Sequence, residues 1–139
     1  MLRRIATRTT VVGIIVITFI MGSLAMLSWM QNRPDNLGLA DGKLRPCQTP
    51  SNCVCSESPD EATAVEPIPF TGSASAAMTR LVKVIEGMRR SQIVSQNENY
   101  LHAEFSSLIF RFIDDVEFRL DESAALIHFR SASRVGRSD

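Results

Sequence analysis

The run from Tyr100 to Phe118 reads YLHAEFSSLIFRFIDDVEF, and its two-residue apolar period limits the fold more than any other stretch. Leu101, Ala103 and Phe105 face one way; Tyr100, His102 and Glu104 face the other. Leu108, Phe110 and Phe112 alternate with Ile109, Arg111 and Ile113. Val116, Phe118 and Leu120 alternate with Glu117, Arg119 and Asp121. Asp121-Glu122-Ser123 reads as a turn, after which Ala125, Ile127 and Phe129 alternate with Leu126, His128 and Arg130. Successive side chains of a strand point to opposite faces. Period 2 with polar partners therefore predicts an antiparallel sheet with one buried face. A shorter strand is expected over Gln92–Ser95.

Ahead of these strands the period changes. Met78, Leu81, Val82, Ile85 and Met88 form one apolar stripe at helical spacing, while Arg80, Lys83, Glu86 and Arg89 face water. Ser73 or Ser75 can cap this helix, which should run to about Arg90. Arg89 and Arg90 suit its negative C-terminal end. The stripe has one obvious place to go, the apolar face of the sheet. The expected class is α+β, one amphipathic helix packed on an antiparallel β-sheet.

Thr9 to Asn32 holds no charged residue over 24 positions. As a helix it would be roughly 36 Å long, more than the roughly 30 Å hydrocarbon core of a bilayer. Trp29 falls near its far end, where an interfacial aromatic belongs. A cleaved signal peptide is the competing reading. Signal h-regions run about 7 to 15 residues, however, and the Ser23-Leu24-Ala25 site lies inside the apolar run. The length favours an uncleaved transmembrane helix over 9–32. Arg3, Arg4 and Arg8 put the N-terminus in the cytoplasm and the domain on the extracytoplasmic side, with Arg33, Lys43 and Arg45 as a weaker opposing set. The chain then divides into a basic flank (1–8), a transmembrane helix (9–32), a flexible linker (33–45) and an α+β domain (46–139).

Asn, Asp, Gly and Pro dominate 31–45, which predicts a tether with little structure. The irregular lead-in that follows carries all three cysteines. Cys47 and Cys53 are separated by five residues that include Pro50, enough for a closed disulfide loop in an oxidising compartment. Cys55 is left over. Zinc is the weaker reading, because Cys-x5-Cys-x-Cys departs from the usual spacing and a fourth ligand would have to come from His102 or His128. No metal and no cofactor is expected. Residues 34–139 hold 11 Lys and Arg against all 15 Asp and Glu. That net of −4 argues against nucleic acid, which needs a basic face.

Four stretches carry a resemblance in order: Cys47 with Pro50-Ser51-Asn52-Cys53-Val54, Tyr100 to Phe105, Phe110 to Phe118, and Arg130-Ser131-Ala132-Ser133-Arg134. Over Leu44 to Asp139 the chain resembles the family of domains of unknown function numbered 1499. The resemblance implies a bacterial or plastid protein with an N-terminal membrane or export segment, and no established activity, substrate or cofactor. Cys55 stands where the family more often has serine. The family pattern also continues past Ser138-Asp139 into a turn and a final basic helix, so a domain shortened at its C-terminus is among the expectations.

The candidate polar site gathers Asp114, Asp115, Glu117, Arg130, Arg134 and His102, with His128 and Arg137 nearby in sequence. Paired carboxylates, a histidine and arginines can perform acid–base work when their pKa values are displaced. The plainer reading makes Asp114 and Asp115 a bulge or turn and pairs Glu117 with an arginine on a solvated face. A hairpin returning through Ala125 should bring Arg130 or Arg134 close to Asp114 or Asp115. No nucleophile elbow, phosphate loop or zinc-protease motif is present. Three functions follow. The leading one is a membrane-anchored binding or scaffold domain for an anionic group or protein partner, using the arginines. The others are a hydrolase or isomerase using the acidic cluster, and an envelope assembly factor using a sheet edge or helix face.

Overall fold

The computed structural model describes residues 2–29, 32–109 and 111–135, with side chains in the first helix described at 11–23 and 26. Phe110 and Arg137, singled out above, lie outside the described residues. The elements in chain order are α1 (Leu2–Trp29), β1 (Leu39–Ala40), β2 (Lys43–Leu44), β3 (Cys53–Cys55), β4 (Ile68–Pro69), α2 (Ala74–Gly87), β5 (Ser91–Gln96), β6 (Tyr100–Ser106), β7 (Ile113–Asp121) and β8 (Leu126–Ser133). The fold is α+β, with two helices and an antiparallel main sheet.

Five strands run in the order β3-β8-β7-β6-β5, and β4 also pairs with β8. β6, β7 and β8 form the centre in unbroken register, with Leu101 opposite Phe118 and Phe118 opposite Phe129. Residues paired across a ladder share a face. Leu101, Ala103, Leu120 and Ile127 thus meet Ala77, Met78 and Ile85 of α2 in one buried cluster. Ser73 caps α2, its Oγ accepting from the Ala76 N–H at 3.2 Å. The helix stops at Gly87, short of the expected Arg90, because the chain turns back at once. Ser91 Oγ donates to the Ile85 and Met88 carbonyls, and Arg90 takes a positive φ of 61°.

Three expectations change. Residues 107–109 and 111–112 form no strand. Ser107 N–H donates to the Phe112 carbonyl, Ser107 Oγ accepts from the Phe112 N–H, and Arg111 turns left-handed at φ 54°. The run is a loop, and β7 begins at Ile113. Asp114 and Asp115 lie inside β7 with continuous pairing; the irregular register falls in β5 instead, between Ile93 and Ser95. Most consequentially, both faces of the sheet are covered. The stretch expected as a loose tether holds the β1–β2 hairpin, turned by Asp41 (φ 51°) and Gly42 (φ 76°). Two positive φ values in succession match the twist of a tight hairpin. This hairpin and the lead-in lie on the face opposite α2, where Leu44, Cys55 and Tyr100 form a second buried cluster.

α1 is 28 residues long. Its described side chains are exposed, from Met21 at 45% to Phe19 at 76%. Among the described residues no helix is long and apolar enough to cross a membrane.

Leu101 is fully buried between sheet and helix. Leu101→Ala should therefore lower the unfolding free energy by about 2–5 kcal/mol, measured by urea denaturation. A loss within error of zero would mean that α2 does not seal this face.

Candidate functional site

The face opposite α2 presents successive cross-strand rows. Glu104 stands opposite Asp115, His102 opposite Glu117, and Tyr100 opposite Arg119. β8 extends the middle row with Arg130 opposite Glu117, and β3 extends it again with Cys55 opposite Arg130. An alternating strand places every second residue here, so Asp115, Glu117 and Arg119 arrive together and Asp114 does not. Asp114 is half-buried on the other face, between Phe105 and Ser133.

These charges are buried. Asp115 and Glu117 are fully inaccessible, and His102, Arg119 and Arg130 are nearly so. Each carboxylate is enclosed by donors. Asp115 accepts from Arg134 Nε at 2.7 Å and Arg134 NH2 at 2.8 Å, and His102 Nε2 lies 2.7 Å from its Oδ1. Glu117 accepts from Arg130 NH1 at 2.7 Å, from the Tyr100 hydroxyl at 2.6 Å and from the Gly38 N–H at 2.6 Å. Glu104 accepts from Arg134 NH2 at 2.6 Å and Arg33 NH2 at 2.9 Å. In the third row Arg119 donates to Glu57 at 2.8 and 3.1 Å, and Glu57 also accepts from the Leu44 N–H.

The structure thus brings Arg134 to Asp115 and Arg130 to Glu117. The hairpin register sets this division, since Asp115 faces Ala132 on β8 and not Arg130. The solvated-face reading of Glu117 is corrected, because the lead-in lies over it. His128 stands apart from the network, with Nδ1 3.4 Å from Ser56 Oγ. Sequence reasoning missed Glu104, Tyr100, Arg33, Glu57 and Arg119 as partners. The shared parity of Tyr100, His102 and Glu104 was the available signal for two of them.

Burial pushes the Asp115 carboxyl up, but the hydrogen bonds and charges of Arg134 and His102 outweigh it and hold its pKa at about 2. Burial likewise opposes, and arginine contacts reverse, the shifts of Glu104 and Glu57, which end below the ordinary carboxylate range. Burial, then Glu117, push the Tyr100 hydroxyl up. Asp115 titrates far below neutral pH, unlike a general acid or base tuned near the operating pH.

His102, Glu104 and Asp115 offer atoms within 4.8 Å of one another, a spacing a metal ion could use. Arg134 already fills the position of the cation, bonded to both Asp115 oxygens and to Glu104. The cysteines do not supply thiolates for zinc as a set, because Cys47 and Cys53 are joined by a disulfide (Cα–Cα 5.6 Å) and Cys55 is buried.

Beside the network a cleft of about 240 Å³ opens between three segments. Asn32, Pro34 and Asn36 line it from one segment, Gln48, Thr49, Asn52 and Cys53 from another, and Arg130, Ala132, Ser133 and Arg134 from β8 and its end. Two arginines and no carboxylate line it. Arg130 is 2% exposed, and its Nε–H is a buried donor without a partner among the described residues.

Asp115 is depressed from its ordinary 3.8 to about 2. The folded state therefore binds this proton more weakly than the unfolded chain. The stability from this group is complete above about pH 4 and is lost as pH falls through about 2. Arg134→Met should cost about 3–5 kcal/mol at neutral pH, because it strands buried carboxylates, and should move the acid-unfolding midpoint to higher pH. Urea unfolding across a pH series measures both, and an unchanged acid midpoint would show that Arg134 does not hold Asp115 ionised.

The model of the family described as "Protein of unknown function (DUF1499)" matches residues 43–139. Comparison with curated proteins and with solved structures finds no match.

Proposed function

Since the chain belongs to that family of unknown function, we propose its role from the site itself: a membrane-anchored, extracytoplasmic binding domain whose cleft takes a small anionic group. The supporting observation is the Arg130 guanidinium. It lines the cleft, gives NH1 to Glu117, and keeps a buried Nε–H with no acceptor among the described residues. A buried donor left unpaired costs about 1–3 kcal/mol, and an oxygen of a bound anion is the natural acceptor. Asn32, Asn36, Gln48 and Thr49 line the same space and add polar side chains to it. Such a set suits a carboxylate or phosphate with several acceptor oxygens.

In this reading the carboxylates are scaffolding for the arginines. An acidic cluster used for hydrolysis needs a carboxyl that exchanges protons near neutral pH, whereas Asp115 is held at about 2 with both oxygens engaged. α1 acts as the anchor. The 24 uncharged positions from Thr9 to Asn32, the basic flank of Arg3, Arg4 and Arg8, and the exposed apolar side chains of the helix support that assignment. The proposed location is a bacterial inner membrane, with the domain on the extracytoplasmic side, where the Cys47–Cys53 bond is chemically at home.

Inorganic phosphate, sulfate and acetate can be titrated separately against the full chain in nanodiscs, with binding read from backbone amide chemical shifts. At least one anion should bind saturably and shift residues of the cleft. Gln48→Glu places a carboxylate on the exposed wall without touching the buried pairs, and should weaken that binding about tenfold. No saturable response of the folded parent to any of the three would overturn the proposal.

A further inference from the structure

The loop between β6 and β7 has a surface that the anion cleft does not use. Leu108 and Ile109 stand side by side at its tip, 73% and 66% exposed. Single exposed apolar residues are ordinary on a protein surface, but two adjacent ones at a closed loop tip are not scattered. The loop base is tied by the Ser107–Phe112 pair of hydrogen bonds, and Arg90 Nε donates to the Ser106 carbonyl at 3.1 Å. Arg90 and Arg111 are exposed at the loop base, beside Glu104, whose charge is already met by Arg33 and Arg134. An apolar tip with a cationic rim fits a lipid surface, with apolar side chains among the acyl boundary and arginines at the phosphates.

The route of the chain after α1 says which end of the domain faces the membrane. Arg33 binds Glu104 in the Glu104–Asp115 row, nearest the loop. Gly38 binds Glu117 in the next row. The Leu44 N–H is given to Glu57, which binds Arg119 in the row beyond. The chain therefore arrives at the loop end of the sheet and runs away from it. Trp29, the last residue of α1, is four residues before Arg33, a span of at most about 14 Å. The tip and the end of the helix lie on the same side of the domain.

We infer that Leu108 and Ile109 dip into the interfacial zone of the membrane that holds α1, with the Arg90 and Arg111 side of the loop toward anionic headgroups. The inference rests on the anchor assignment, not on the anion cleft. Domain and anchor then make two attachments, which fixes the tilt of the sheet above the bilayer.

The test uses the full chain, one copy per nanodisc, in lipid containing phosphatidylglycerol. Single cysteines at Leu108→Cys, Ile109→Cys, Ser123→Cys and Phe19→Cys carry an environment-sensitive fluorophore. The labelling is done without reductant, so the disulfide stays closed, and the native Cys55 thiol is fully buried. Ser123 is exposed in the turn at the opposite end of the sheet. Lipid-borne nitroxide should quench the labels at 108 and 109 several-fold more than the label at 123. Quenching at 19 with none above the 123 level at 108 and 109 would overturn the tip insertion and leave the anchor standing. A blue-shifted but unquenched tip label would mean that protein covers it, which also overturns the proposal. No quenching at 19 would remove the anchor, and the tip insertion with it.

Discussion

Two carboxylates, Asp115 and Glu117, are sealed completely inside the second face of the sheet. An ionised carboxylate taken out of water costs several kcal/mol unless cations and hydrogen-bond donors replace its hydration. That requirement reaches into segments far apart in the chain. β8 must bring Arg130 and its end must bring Arg134. β6 must contribute Tyr100 and His102. The stretch after α1 must supply the Gly38 N–H, and Arg33 must satisfy Glu104, which shares Arg134. A network of this kind is cooperative. Its members strengthen one another when complete, and a missing member leaves a stranded charge.

The two faces of the sheet are therefore built on different physics. The α2 side is a non-directional apolar contact, tolerant of small changes in side-chain shape. The opposite side is directional, with both oxygens of Asp115, Glu117 and Glu57 assigned to named donors. Irregular backbone covers that side well because its N–H groups are not consumed by a ladder. The Gly38 and Leu44 amides are both given to carboxylates. Arg130 shows the directional face at its limit. Its position is dictated by Glu117, and the donor left over turns a structural pair into a reason for a ligand.

Much of the apolar side was legible beforehand. Period 2 identified the strands around Leu101, Phe118 and Ile127, and the 3.6-residue stripe identified α2, because burial against one partner writes a period into the chain. The polar side was harder. Covering segments have no period, so 31–45 read as a tether, although Asp41-Gly42 between Ala40 and Lys43 was a hairpin signal in plain view. Residues 107–112 carry strand-like alternation, yet 107–109 and 111–112 form no strand, since the pattern cannot say that Ser107 will close on Phe112. The pairing of Arg134 with Asp115, and not of Arg130, depended on a hairpin register that composition does not reveal.

The wall of the cleft at Asn32, Pro34 and Asn36 is also the first stretch of chain leaving α1. Cleavage in this stretch is therefore not a neutral event for this domain. Proteolysis after Asn36 would release a sheet still carrying its disulfide and α2, but it would take away one side of the cleft and the Arg33 contact to Glu104. One cut in this stretch would both part the sheet from α1 and open the cleft, so the two are coupled through a few residues of irregular chain.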